Sequence, residues 1–315
     1  MTRCEHLLSR VRRSAACRAW AAGVLLEVWW LASGCSALRK PKVVPDSVAT
    51  GRQLSCEGVA AMQRGHWDEA RSLLHRAVSM SPADTDARRQ LAEALWQSGE
   101  RQQGALHMEA AVRLDPRHAP SLVRSGEMLL ALGSADRALG RADEALAIDP
   151  TLASAWALRG RVRRSRGEQE QALADLHQAL RYSPNEATLL QDAAELQYEL
   201  DRPHRALTTV QHLLSTTAPD QYSQKALWLA GLAYGKVNRH EEAAASLYAA
   251  ALKGPPQPEL LYQLAAAQSA AGRTNEAMAS ARQALAADGG HEPSRALLTR
   301  LEGAETAGAL NAVRR

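Results

Sequence analysis

Phenylalanine is absent from this chain, and aromatic residues of all kinds make up only 4% of its 315 residues. A core built on large rings is thereby excluded, and alanine and leucine must fill it through elements that approach closely. Cysteine is also scarce. Cys4, Cys17, Cys35 and Cys56 form no C-x-x-C pair, so neither a disulfide framework nor a paired-thiol metal or redox site is expected. Segments alternating Val, Ile or Thr with polar residues are missing, which argues against a sheet. Phosphate-binding loops are missing too: Gly235-Lys236-Val237 has neither the upstream glycine nor the following hydroxyl residue. His240-Glu241-Glu242 lacks the second histidine of a zinc-protease helix, and no Gly-x-Ser-x-Gly elbow occurs. No catalytic residue, metal or cofactor is therefore expected, and the chain does not read as an enzyme.

A basic excess spread over the chain is likewise lacking. The net charge is +4, and residues 1–20 supply all of it: Arg3, Arg10, Arg12, Arg13 and Arg18 against Glu5. Residues 21–315 are neutral in sum and have no general attraction for a phosphate backbone, so a nucleic-acid partner is not expected. One local cluster, Arg159, Arg161, Arg163, Arg164 and Arg166, stands out. Arg159, Arg163 and Arg166 read as a solvated helix face. Cys56, alone on a helix, reads as core filler.

What is present is a beat. Pro82, Pro116, Pro150 and Pro184 recur every 34 residues, with Ala70, Gly104, Ala138 and Ala172 in one fixed phase and Gly65, Gly99, Gly133 and Gly167 in another. Each period reads as a helical pair. In 153–186, Gly167 ends the first helix, Ala172, Leu176 and Ala179 share one face of the second, and Pro184 stops it. Gly160 and Ala172 let the two helices approach closely.

These residues resemble the tetratricopeptide repeat. The resemblance implies an all-α, right-handed α-solenoid of about seven helix-turn-helix repeats over 51–301, starting near Gly51, Thr85, Ala119, Ala153, Ala187, Gln224 and Pro258. Glu292–Leu301 is expected as a capping helix, with Leu297, Leu298 and Leu301 turned inward, and 302–315 as a disordered tail. The fifth repeat departs from the motif, with Asp201 in place of Gly and Leu213 in place of Ala. An insertion stretches its spacing to 37, so a kink or bulge is expected around Thr216–Tyr222. In the family, the first helix of each repeat lines a concave groove that binds proteins. Carried onto this chain, that implies a protein-binding groove with Trp96, Glu127, Arg161, Arg164, Tyr198, Trp228 and Tyr262 as its candidate residues. Exposed rings beside arginine suit peptide recognition, whereas for Tyr198 and Trp228 a role in covering neighbouring helices weighs equally. Ser55, Val59, Arg89, Glu93, Val123 and Glu127 do not make the Lys and Asn clamp that grips chaperone tails.

Residues 1–34 differ from the rest. An arginine-rich stretch precedes an apolar run ending in Leu31-Ala32-Ser33-Gly34-Cys35. The order is that of a secretory signal, and its end resembles a bacterial lipobox, although Glu27 interrupts the apolar run. The resemblance implies lipidation of Cys35, with 35–50 as a flexible tether to a membrane. An uncleaved membrane anchor and a non-targeting extension are the competing readings. The chain is thus expected to be a membrane-tethered lipoprotein of a bacterial envelope, facing the periplasm or exterior. It would act as a monomeric scaffold or assembly factor for a protein or peptide partner. The alternatives are a cytoplasmic or inner-membrane-anchored scaffold, or a regulatory subunit of a separate enzyme.

Overall fold

The structure is a computed structural model that describes residues 46–313, apart from residue 256. The expected signal at 1–34 and the lipidation site Cys35 lie outside the described residues. Those residues form helices and no strand. The described residues divide into two compact units, one ending at Asp115 and one beginning at Pro116.

The first unit holds two helical pairs: α1 (Asp46–Gln63) with α2 (Trp67–Met80), and α3 (Thr85–Gln97) with α4 (Arg101–Leu114). The second unit holds five more. They are α5 (Ala119–Ala131) with α6 (Ala135–Ile148), α7 (Ala153–Ser165) with α8 (Gln169–Tyr182), α9 (Ala187–Glu199) with α10 (Pro203–Thr216), α11 (Gln224–Lys236) with α12 (His240–Ala251), and α13 (Pro258–Ala270) with α14 (Thr274–Ala287). The last helix is α15 (Glu292–Val313). From Thr85 onward every first helix starts where the motif places it. The first repeat starts earlier: α1 begins at Asp46, so 46–50 is helix and not tether. Asp46 puts a carboxylate in the opening turn, where it favours the helix dipole, and no proline comes after it before the turn.

Each hairpin turn depends on one left-handed residue. Gly65, Gly99, Gly133, Gly167 and Gly272 have φ between +76° and +90°. The next residue then donates back five places, as His66 N does to Ala61 O at 3.0 Å. In the fifth and sixth repeats Asp201 (φ +53°) and Asn238 (φ +60°) take this place and close the same bonds, Arg202 N to Gln197 O and Arg239 N to Tyr234 O. Asp and Asn are the non-glycine residues that best tolerate this conformation. The two departures of the fifth repeat from the motif thus leave its hairpin regular, with Leu213 buried in the core, and the irregularity falls where it is expected, around Thr216–Tyr222.

That irregularity follows the hairpin. Four residues join successive repeats at 81–84, 149–152 and 183–186, whereas 217–223 is longer. It contains a single 3₁₀ turn, Pro219–Gln221. Tyr222 fastens the segment by packing beside Leu214 and Leu227 and donating its hydroxyl to Leu214 O at 2.9 Å. Lys253 holds the other side through Asp220 O at 2.8 Å.

At the C-terminal end, Leu297 and Leu301 are buried against Ala265, Ala277, Met278 and Ala281, with Leu298 partly covered, as expected of a cap. The cap does not stop at Leu301. The segment expected as a disordered tail continues α15 to Val313, because its alanines favour helix and no proline interrupts it.

Candidate functional site

Side chains on the first helices of the second unit divide into an ionic stretch and an apolar one. The ionic stretch spans α5, α7 and α9. Glu127 accepts from Arg124 at 3.0 Å and lies 3.7 Å from Arg161. Arg161 Nε donates to Asp192 at 2.7 Å. Arg164 reaches Glu195 at 3.4 Å and also pairs with Glu199. Burial alone would lower the Arg164 pKa, but hydrogen bonds and charge from Glu199 and Glu195 outweigh it and raise it. Glu195 further accepts from Gln191 at 3.2 Å and from Lys225 at 2.6 Å. Glu127, Arg161 and Arg164, predicted as groove residues, are thus brought together and mutually neutralised across neighbouring repeats.

The other face of α7 corrects the solvated reading of its arginines. Asp175 on α8 is only 2% exposed. Arg159 binds it with two nitrogens, at 2.9 and 3.1 Å, and Arg163 with one at 2.7 Å. Arg159 also lies 4.5 Å from the ring of Trp156 and bonds Asp143. Burial draws the Arg159 pKa down, and its bonds to Asp175 and Asp143 more than restore it. A buried carboxylate cannot stand unpaired, so these two half-buried arginines belong to the packing of the fourth repeat. Arg166 stays at the surface, bonded to Glu168. Cys56 is solvent-exposed, not core filler.

The apolar stretch lies between α9 and α11. Tyr198, Trp228, Leu229 and Leu232 line a cavity of about 440 Å³, with Glu195, Glu199, Gln224, Lys225 and Gln257 around them. Tyr198 and Trp228 are both half-buried. Lys236 lies 6.0 Å from the Tyr198 ring centroid. Trp228 rests on the α12–α13 core beside Leu247 and Leu264, and its Nε1 is buried with no acceptor. The cavity sits at the repeat junction where the spacing departs from 34. Among the residues that sequence reasoning missed, Leu232 and Glu199 fall on groove positions of the sixth and fifth repeats and were there to be read. Gln257, in the linker before α13, carries no periodic signal.

The remaining candidates lie elsewhere. Tyr262 packs on the cap, its ring 5.8 Å from that of His291. Trp96 belongs to the first unit, with Arg101 5.6 Å from its ring.

Family models for the tetratricopeptide repeat match residues 61–104, 89–153 and 258–291. Helical pairs at this spacing surround and join those segments. The chain carries tetratricopeptide repeats. Among solved structures, the chain is similar to PilF of Pseudomonas aeruginosa (TM-score 0.60, 19% identity, covering 68% of this chain and 96% of that one). It is similar to PilW, a type IV pilus biogenesis factor (TM-score 0.60, 17% identity, covering 67% and 96%). It is also similar to YrrB, whose structure has an unusual peptide-binding site (TM-score 0.53, 19% identity, covering 59% and 95%). At these identities the likeness concerns the fold. No curated protein sequence matches the chain.

Proposed function

We propose that this chain is a non-catalytic scaffold or assembly factor that binds a segment of a partner protein between the fifth and sixth repeats. The observation that carries the reading is the cavity walled by Tyr198, Trp228 and Leu232, in a chain so poor in aromatic residues. Rigid rings bury large areas at small entropic cost, and a volume of about 440 Å³ accepts one or two large apolar side chains. The neighbouring ionic stretch is a poor competitor. A partner meeting Arg161 or Arg164 must exchange one ion pair for another, with little net gain.

The scaffold is held at a bacterial membrane through a lipid on Cys35, facing the periplasm or exterior. The lipobox-like sequence supports this tether, and two acyl chains suffice for stable anchoring. The likeness to a pilus biogenesis factor suits an envelope assembly role.

Two experiments test the two halves. Co-purification with wild-type chain should recover a partner that Tyr198→Ala/Trp228→Ala loses. Because Trp228 supports the core, Leu232→Ser supplies a milder variant, and circular dichroism must show normal helicity in both. Retention of every partner by folded variants would refute the cavity as the binding site. Mass spectrometry of the mature N-terminus should find acylated Cys35; an unprocessed Met1 would refute the tether.

A further inference from the structure

The cavity is not electrically symmetrical along its length. Helices α9 and α11 run side by side in the same direction. Ser223 bonds Gln191 at 3.4 Å near their N-terminal ends, and Lys236 bonds Asp201 at 3.1 Å near their C-terminal ends. Lys225 opens α11, and Leu232 lies two turns further on, about 10 Å along the helix axis at ~1.5 Å per residue. The trench between the helices therefore has a Lys225 end and a Tyr198–Glu199 end, with Trp228 between them.

Every charge here is paired, but the partners are unequally exposed. At the first end the Lys225 side chain is 60% exposed, while its partner Glu195 is 13% exposed and held by Arg164 and Gln191 as well. What solvent meets there is an ammonium with two spare donors. At the other end Asp201 is 79% and Glu199 39% exposed, against 51% for Lys236 and 31% for Arg164. Lys236 is occupied by Asp201 and lies over Tyr198. Of these four groups only Glu199 lines the cavity, so what an occupant meets there is a carboxylate.

We infer that the trench selects a partner segment that is itself dipolar: an acidic residue and a basic residue about two helical turns apart, with apolar side chains between them. The acidic residue meets Lys225, the apolar residues fill the space between Tyr198 and Trp228, and the basic residue meets Glu199. Glu195 keeps Arg164 and Gln191 when Lys225 turns to the occupant, so recruiting Lys225 strands no buried charge. The ion pairs contribute selectivity more than affinity, since each is open to water. This inference rests on the cavity being the binding site.

Four synthetic helical peptides with the same apolar residues test it. Their flanking pairs are Glu and Lys, Glu and Glu, Lys and Lys, and Gln and Gln, and binding is read by fluorescence anisotropy at low salt. Wild-type protein should bind the Glu/Lys peptide about fivefold more tightly than either same-sign peptide, the scale that two exposed ion pairs supply. Lys225→Glu should reverse the order and favour the Lys/Lys peptide, and rising salt should erase the ranking. Leu232→Ser should weaken all four together. An unchanged ranking in Lys225→Glu, or equal binding of the Gln/Gln peptide, overturns the dipolar inference while the cavity stands. Failure of Leu232→Ser to weaken any peptide overturns the cavity itself, and no binding of any peptide to the wild-type chain overturns both.

Discussion

The fourth and sixth repeats share one backbone plan and use it in opposite ways. In the fourth, the first helix is crowded with arginine, and every one of those arginines is spent inside the molecule. Arg159 and Arg163 hold Asp175, while Arg161 and Arg164 tie the helix to Asp192, Glu195 and Glu199 of the next repeat. In the sixth, the first helix carries little charge, and Trp228 and Leu232 face a cavity. The abundance of charge in one repeat thus marks packing, and the exposure of apolar groups in the other marks the site proposed for binding. A positive cluster in a repeat protein is evidence for a ligand only once its internal partners have been counted.

Removing the central carboxylate of the fourth repeat should have the largest effect. Asp175→Ala leaves Arg159 and Arg163 without their shared partner and should cost about 3 kcal/mol in denaturant unfolding. A loss below about 1 kcal/mol would mean that the arginines find water instead, and the contrast between the repeats would weaken. Close approach of the two helices comes next. A methyl group at Gly231 would press into Leu247 and lie 3.2 Å from Ala243 O, whereas at Gly160 its nearest neighbour is Ala172 O at 3.1 Å. Gly231→Ala should therefore destabilise by about 2 kcal/mol, and Gly160→Ala by less, because Leu247 must move out of the way whereas Leu176, 3.3 Å from the added methyl group, need only give slightly.

The hairpin turns give a smaller test. Asn238→Ala places an ordinary side chain at φ +60° and should cost about 1 kcal/mol, seen as a lower urea midpoint. The same position in the fourth repeat is Gly167, where the strain is absent. The smallest expected effect is on pH. His107 occupies in the second repeat the place that Asp175 has in the fourth. Burial, and then the charges of Arg88 and His75, hold its pKa below the ordinary 6.5. The unfolded chain accordingly takes up a proton more readily, so stability falls as pH drops below about 6.5 and levels off once the folded histidine also titrates. His107→Gln should flatten that part of the stability–pH curve.

The repeat starts from Thr85 onward and the hairpin turns were readable in the sequence because each rests on a residue type with one steric solution. Proline ends a helix, and glycine accepts a positive φ. The turns at Asp201 and Asn238 were obscured only because a second residue type meets the same demand. Ionic partners were not readable. Arg161 finds Asp192, and Arg159 finds Asp175, on other helices, where periodicity says nothing about which charges meet. The insertion at 217–223 showed in the spacing, but its anchoring by Tyr222 depends on a three-dimensional contact with Leu214. The aromatic residues of the candidate site were visible through their scarcity, whereas Gln257 was not, lying outside any repeat position.

The α9–α11 cavity, and not the ionic stretch beside it, is the site proposed to receive the partner. A photoreactive amino acid placed at Leu232 in one strain and at Arg161 in another tests it directly. A discrete covalent adduct that Tyr198→Ala abolishes should form from position 232, and none from position 161. An adduct from 161 alone, or one from 232 that survives Tyr198→Ala unchanged, would contradict it.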